Sequence, residues 1–106
     1  LAVMVDCNAQ QCDGAMRSVM NVEPLAERLR AFGATVCEVD GHDPEALAAA
    51  AESPHEGGPL VSLAQTDPCR DIDLLKGRAP KLHYVRFKSD EERRSYEQVL
   101  AEMNAP

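Results

Sequence analysis

Residues 34–65 read ATVCEVDGHDPEALAAAAESPHEGGPLVSLAQ and alternate between strand-like and helix-like patterns. The apolar run at 34–39 predicts one strand, and the run at 59–65 predicts another. Between them, Asp43 is a suitable N-cap and Pro44 fits a first helical turn, so the alanine-rich stretch that follows is predicted to be a helix. A strand, a helix and a strand form a βαβ unit, whose strands are parallel and whose crossover is right-handed.

The same pattern is found towards the start of the chain. Residues 1–5 read LAVMV, a continuous apolar run typical of a strand that is covered on both faces of a parallel sheet. A helix is predicted next, with Leu25, Leu29 and Phe32 on one apolar face. Gly33 then lies where a C-cap glycine belongs. We therefore predict an α/β fold with a partial, doubly wound sheet of about three parallel strands joined by βαβ crossovers.

The remainder of the chain differs in character. The stretch 66–80 combines prolines and charges with little periodicity and is predicted to be a long loop, and 81–87 is predicted to be a short extended segment. Ser89 and Glu92 have the spacing of a capping box, so a C-terminal helix follows. Its predicted apolar stripe consists of Tyr96, Val99, Leu100 and Met103.

Composition limits the classes of partner. Lys and Arg number 11 and Asp and Glu number 18, which gives a formal net charge of −7. Because this charge repels phosphate backbones and anionic lipid, we expect neither a nucleic-acid nor a membrane partner. No signal-peptide pattern is readable, and the four cysteines are scattered as reduced thiols usually are. These features favour a cytoplasmic protein.

Polar loops follow the carboxyl ends of all three predicted strands, at 6–14, 40–43 and 65–67. In open α/β sheets, ligands bind at this edge. Taken one loop at a time, the Asp and Asn residues are better explained as turn and cap residues. Taken together, the three loops are a candidate binding site.

The blocks around these loops have a recognisable order. Residues 5–14 read VDCNAQQCDG, in which an Asn follows a strand and an Asp-Gly pair comes a few residues later. Residues 25–33 read LAERLRAFG, 38–43 read EVDGHD, and 59–66 read PLVSLAQT. In this order and spacing the blocks resemble the cofactor-binding domain of transketolases. The resemblance is close over residues 2–66.

The resemblance implies roles for two residues near the first strand. It identifies residues 1–106 as one α/β segment, the C-terminal part of the domain that binds the diphosphate end of thiamine diphosphate, with 67–106 only loosely matched. In transketolases that diphosphate is held through Mg²⁺ or Ca²⁺, a hard cation that takes oxygen ligands. The matching positions make the side-chain oxygen of Asn8 and the main-chain carbonyl of Gln10 the expected metal and cofactor ligands.

A third expected residue lies in the loosely matched part. A family histidine that reaches the diphosphate and the substrate matches His83, which is therefore the candidate catalytic and cofactor-binding histidine. A histidine in this setting more often serves packing or hydrogen bonding. The chain departs from the family at Gln65, where transketolases usually have Lys, and at 67–73, which replaces a glycine-rich stretch.

The implied activity is a transketolase-like transfer of a two-carbon ketol unit from a sugar phosphate or another ketol donor. The chain has neither the Gly-Asp-Gly triplet that contains the first metal ligand nor a counterpart of the pyrimidine-binding domain that contains the catalytic Glu. We therefore expect it to be inactive alone. It should require an upstream segment and a pyrimidine-domain partner in a homo- or hetero-oligomer. The alternative is a non-catalytic α/β remnant or interaction module that has lost cofactor binding.

A zinc site is a further alternative, because Cys7, Cys12, Cys37 and His42 are residue types that bind zinc. The Cys-x4-Cys spacing is not that of a zinc knuckle, and it also lacks the Cys-x-x-Cys spacing of redox motifs. Cys37 is predicted to point into the cover of the sheet and away from the strand end. These points disfavour zinc.

Overall fold

The computed structural model describes residues 1–12 and 14–105, so Asp13 of the quoted Asp-Gly pair lies outside the described residues. The elements in chain order are β1 (Ala2–Cys7), β2 (Gln10–Gln11), β3 (Gly14–Ala15), α1 (Met16–Val19), α2 (Leu25–Ala31), β4 (Thr35–Asp40), α3 (Pro44–Ala51), β5 (Leu60–Gln65), α4 (Asp73–Lys76) and α5 (Asp90–Met103). No helix among the described residues is long and apolar enough to cross a membrane.

Three strands form a parallel sheet in the order β1-β5-β4, which confirms the predicted partial α/β fold. The chain passes from β1 across β5 to β4 and then returns to β5, so the two crossovers run in opposite directions. Right-handed crossovers in opposite directions require the connecting helices to lie on opposite faces of the sheet. This is the doubly wound arrangement predicted above. A separate short hairpin pairs β2 with β3.

The core is centred on β5, which is paired on both edges. Its residues from Leu60 to Ala64 are all buried, and Ala50 of α3 and Cys69 are buried with them. The strand β1 was expected to be covered on both faces, but Val3 is 39% and Met4 is 49% exposed. The expectation fails because β1 is paired on one edge only and α2 and α3 pack on β4 and β5.

Local signals at the helix ends are mostly confirmed. The Asp43 side chain accepts hydrogen bonds from the backbone N–H groups of Glu45 and Ala46, both at 3.0 Å, and so caps α3. Gly33 adopts a φ of +86°, the left-handed conformation of a C-cap glycine. Phe32 was expected on the buried face of α2, which is wrong, because it is 89% exposed. Phe32 is the C-cap of the helix, and its N–H still bonds to the Arg28 carbonyl, so its exposure reflects the absence of packing over this end of α2 and not a change of helical spacing.

The C-terminal part forms a small cluster of its own. The predicted loop contains the short helix α4, and the Ser89 hydroxyl accepts a hydrogen bond from the Glu92 N–H at 3.1 Å, as the capping box predicts. The Glu92 carboxylate pairs with Arg78 and also accepts a hydrogen bond from the Lys88 N–H. The Phe87 and Tyr96 rings pack with centroids 5.3 Å apart.

The chain as a whole is extended. Its radius of gyration is 17.2 Å, against about 13 Å expected for a compact domain of this length. Several large apolar side chains are more than half exposed; they are Leu1, Val19, Met20, Phe32, Tyr84, Leu100 and Met103. Association would bury these side chains and is favoured for that reason.

We predict that the isolated chain self-associates through the open edge of β1. An unpaired strand edge with apolar side chains is a template for pairing with another strand, and a lysine on that edge blocks such pairing. Light scattering coupled to size-exclusion chromatography should show dimers or larger species, and Met4→Lys should shift them towards monomer. The control Phe32→Lys changes an exposed apolar residue away from the edge and should leave the distribution unchanged. A monomeric wild-type chain with a cooperative melt would contradict the prediction.

We also predict that acid weakens the C-terminal cluster through Glu92. Hydrogen bonding from the Lys88 N–H, followed by that from Arg78, lowers the pKa of the Glu92 carboxyl. A pKa that is lower in the folded state stabilises the fold above the unfolded value, about 4.3 for glutamate, and this stabilisation is lost as the pH falls through the folded pKa.

Circular dichroism of α5 against pH measures this loss. Glu92→Gln should weaken the helix at neutral pH and flatten its acid transition. The control Glu91→Gln, at the neighbouring exposed position of the same first turn, should retain the transition. An acid transition in Glu92→Gln that is as steep as in the wild type would exclude this role for Glu92.

Candidate functional site

The parallel register brings the ends of the three strands to one level. Cys7 of β1 and Asp40 of β4 both pair with Gln65 of β5, so the loops that follow begin side by side. The side chains of these loops therefore meet at the carboxyl edge of the sheet, where open α/β sheets bind ligands.

The loop after β1 holds Asn8 in a tight turn. The Asn8 side-chain oxygen accepts a hydrogen bond from the Gln10 N–H at 2.9 Å. Between them Ala9 adopts a φ of +57°, a left-handed conformation that costs a non-glycine residue about 1–2 kcal/mol. The Ala9 carbonyl accepts a hydrogen bond from the Met16 N–H at 2.9 Å, which helps to hold the strained turn. Strain of this kind concentrates at functional sites.

A carboxylate joins this turn to the loop after β5. Asp6 accepts a hydrogen bond from the Asn8 side-chain amide at 3.0 Å through one oxygen and from the Thr66 hydroxyl through the other. Thr66 lies sixty residues further along the chain than Asp6. The contact therefore exists only because β1 and β5 are neighbours.

The loop after β4 approaches the loop after β5 closely. A side chain on Gly41 would come within 2.9 Å of the Gln65 carbonyl oxygen and closer still to Thr66, so only glycine fits there. The neighbouring His42 accepts a hydrogen bond from the Asp67 N–H at its Nε2, at 2.8 Å. This ring nitrogen is therefore unprotonated. Through this contact the loop 40–43 supports the loop 65–67.

The three residues expected to bind metal and cofactor line one cleft. It has a volume of about 210 Å³, and its lining residues are Asn8, Gln10, Cys12, Pro68, Leu82 and His83. His83 is exposed and packs edge-on against Tyr84, with ring centroids 4.9 Å apart. The fold thus brings together residues that lie some seventy-five positions apart in the sequence.

A second cleft lies against the same turn. It has a volume of about 240 Å³ and shares Asn8 and Gln10 with the first, and Glu23 lies in its wall. Burial raises the pKa of the Cys7 thiol that lines this cleft, and the nearby carboxylates, Glu23 foremost, raise it further. Cys7 is therefore mainly a neutral thiol at physiological pH, and the carboxylates give this side of the turn a negative charge.

The candidate zinc ligands do not come together. The Cys37 thiol lies 3.5 Å from the Ser53 hydroxyl, beside the end of α3. Within residues 1–12 and 14–105, no group of three or more His, Cys, Asp or Glu side chains is placed to hold a metal ion. A metal bound here would therefore need other oxygen ligands as well.

Sequence reasoning missed the contacts that connect the loops. Asp6, His42 and Thr66 were located in the polar loops, but their partners were not identified. The available signal was position, because each of the three lies within two residues of the end of a parallel strand. Their partners depend on the strand order β1-β5-β4, which hydrophobic patterns do not reveal.

Three curated relatives match the chain. It is 31% identical over 91 residues to an uncharacterized transketolase family protein of Sinorhizobium fredii, covering 83% of the chain and 32% of that protein. It is 34% identical over 80 residues to a 6-deoxy-6-sulfo-D-fructose transketolase subunit of a Clostridium species, covering 74% and 29%. It is 30% identical over 103 residues to an apulose-4-phosphate transketolase subunit of Actinobacillus succinogenes, covering 96% and 37%.

The chain spans about a third of the length of these relatives. No family model matches it, and no solved structure matches it significantly. All three relatives carry the transketolase name, and the alignments cover between 74% and 96% of the chain. The chain therefore belongs to the transketolase family.

Proposed function

We propose that this chain is part of a thiamine-diphosphate-dependent, transketolase-like enzyme that transfers a two-carbon ketol unit. In this proposal the carboxyl edge of its sheet holds the diphosphate end of the cofactor through Mg²⁺ or Ca²⁺. When bound, thiamine diphosphate supplies the electron sink that such carbon–carbon bond chemistry requires. The observation that supports the proposal most directly is the single cleft that Asn8, Gln10 and His83 line together.

The residues present fit part of a hard-cation site. Asn8 has a side-chain oxygen and Gln10 a main-chain carbonyl, and Mg²⁺ and Ca²⁺ prefer such ligands. The nearby Asp6 carboxylate adds negative charge that favours a cation. The remaining ligands would come from the diphosphate, from water and from an aspartate outside this chain. His83, which lines the same cleft, is proposed to donate a hydrogen bond to the diphosphate or to the substrate.

The substrate and the partners are proposed from the names of the relatives. Two of them are named for a sulfo-sugar and a sugar phosphate, so we propose a ketose with an anionic substituent as the ketol donor. The same two are named as subunits, which supports assembly with a second chain. That chain would contain the pyrimidine-binding domain and its catalytic glutamate.

We predict that Asn8→Leu abolishes most metal binding at this cleft. Removing one oxygen ligand from a site with few protein ligands should weaken Mn²⁺ affinity by about tenfold or more, the scale found when metal sites are disturbed. Electron paramagnetic resonance of Mn²⁺, titrated into the chain together with thiamine diphosphate, measures the bound fraction.

Asn21→Leu is the matched control. Asn21 makes the same type of turn, accepting a hydrogen bond from the Glu23 N–H at 3.1 Å, but it does not line the cleft that contains His83. Equal Mn²⁺ binding by the wild type and Asn8→Leu would refute the assignment of Asn8. Complete absence of binding by the wild-type chain, even with the upstream segment and the pyrimidine-domain partner added, would favour the non-catalytic interaction module.

We also predict that the 106-residue chain alone has no transketolase activity. It lacks the Gly-Asp-Gly ligand and contains no segment that resembles the pyrimidine domain, so the cofactor would be held at one end only. The purified chain is incubated with Mg²⁺, thiamine diphosphate and a ketose phosphate, and ketol transfer to an aldose is measured. Activity should appear only when the upstream segment and a partner that contains the pyrimidine domain are added. Turnover by the chain alone would require a different catalytic acid within these residues.

A further inference from the structure

We propose that Thr66 is a positioning residue for Asn8. Its hydroxyl and the Asp6 carboxylate together set the orientation of the Asn8 side-chain amide, and the loop 40–43 holds Thr66 in place. The inference rests on the proposed function, in which the Asn8 oxygen is a metal ligand. Its basis is a series of hydrogen bonds across the ends of all three strands, in which the peptide bond between Thr66 and Asp67 joins the Asp6 contact to the His42 contact.

The orientation of the amide decides whether Asn8 can bind a cation. Its oxygen is a suitable ligand for Mg²⁺, whereas its NH₂ group can only donate hydrogen bonds. The Asp6 carboxylate accepts hydrogen bonds and donates none, so it binds the Asn8 NH₂ group, at 3.0 Å. The Asn8 oxygen is thereby directed to the Gln10 N–H, at 2.9 Å, and keeps a second lone pair for a cation.

Thr66 is needed because Asp6 is exposed. An exposed carboxylate with one weak partner rotates freely, and the Thr66 hydroxyl supplies the second contact that stops this rotation. Thr66 approaches Asp6 from β5, the strand that pairs with β1 along its whole length. The hydroxyl is the only group on the Thr66 side chain that can donate a hydrogen bond. A side chain of equal shape without the hydroxyl should therefore leave the Asp6 carboxylate without this second contact.

The loop 40–43 holds the backbone around Thr66. Gly41 donates its N–H to the Gln65 carbonyl at 2.8 Å, and its missing side chain leaves the space that Thr66 occupies. His42 fixes the next residue by accepting the Asp67 N–H at 2.8 Å. The Asp-Gly-His-Asp block at 40–43, which lies after β4 at the opposite edge of the sheet from β1, thus acts on Asn8 through Thr66 and Asp6.

Nuclear magnetic resonance of the ¹⁵N-labelled chain tests the positioning directly. In Thr66→Val the Asn8 side-chain NH₂ signals should shift and exchange faster with water, and Thr66→Ser, which keeps the hydroxyl, should restore them. Thr35→Val is the matched control, because Thr35 begins β4 at the opposite end of the sheet. The Asn8 signals in that control should match those of the wild type.

Mn²⁺ together with thiamine diphosphate tests the consequence for binding. In the wild type Mn²⁺ should broaden the Asn8 side-chain and Gln10 backbone signals. In Thr66→Val the Mn²⁺ concentration needed for the same broadening should rise by about tenfold, the scale found for residues that orient metal ligands. Thr66→Ser should stay within about threefold of the wild type, since it keeps the hydrogen bond.

The outcomes separate the two proposals. Unchanged Asn8 signals in Thr66→Val would overturn the positioning role, whatever the metal does. Absence of Mn²⁺ broadening in the wild type, with the upstream segment and the pyrimidine-domain partner present, would overturn the proposed function and leave the positioning to be judged on the Asn8 signals alone. Should Thr66→Val fail to fold, the wild type still decides. In the ¹³C,¹⁵N-labelled wild type, a scalar coupling across the hydrogen bond between the Gln10 amide nitrogen and the Asn8 side-chain carbonyl carbon supports the orientation of Asn8, and its absence overturns it.

Discussion

The strand β5 is paired on both edges and buried on both faces, and the rest of the fold depends on that placement. Its residues from Leu60 to Ala64 are buried because β1 and β4 flank it and α3 packs over it. Parallel pairing in register then brings the ends of all three strands to one level. The candidate site exists at that edge because three loops begin there together.

Contacts between loops that are distant in sequence build the site. The individual hydrogen bonds are exposed, and a typical one contributes only about 1 kcal/mol. These hydrogen bonds act together to restrain the site. Thr66 and Asp6 restrain the Asn8 side chain. Gly41 and His42 restrain the backbone of the loop that contains Thr66. The strained turn at Ala9 is maintained within the same set of contacts.

Exposed apolar surface is the second general feature of the chain. The edge of β1 and the C-terminal cluster both present large apolar side chains, and the radius of gyration of 17.2 Å shows how little of the chain packs around one centre. The chain spans about a third of the length of its transketolase relatives. The physical requirement for cover agrees with the proposed assembly.

The sequence by itself determined the three strands of the sheet and the helices α2, α3 and α5, but not the β2–β3 hairpin or the short helices α1 and α4. The apolar runs, the cap at Asp43 and the left-handed Gly33 were predictable because strand, helix and cap signals are local. Only the tertiary structure decided that β5 lies between β1 and β4, that β1 stays exposed, and that His83 shares a cleft with Asn8. Local patterns give the period and the ends of an element. Which strand lies beside which, and hence which loops meet, depends on burial summed over the whole chain.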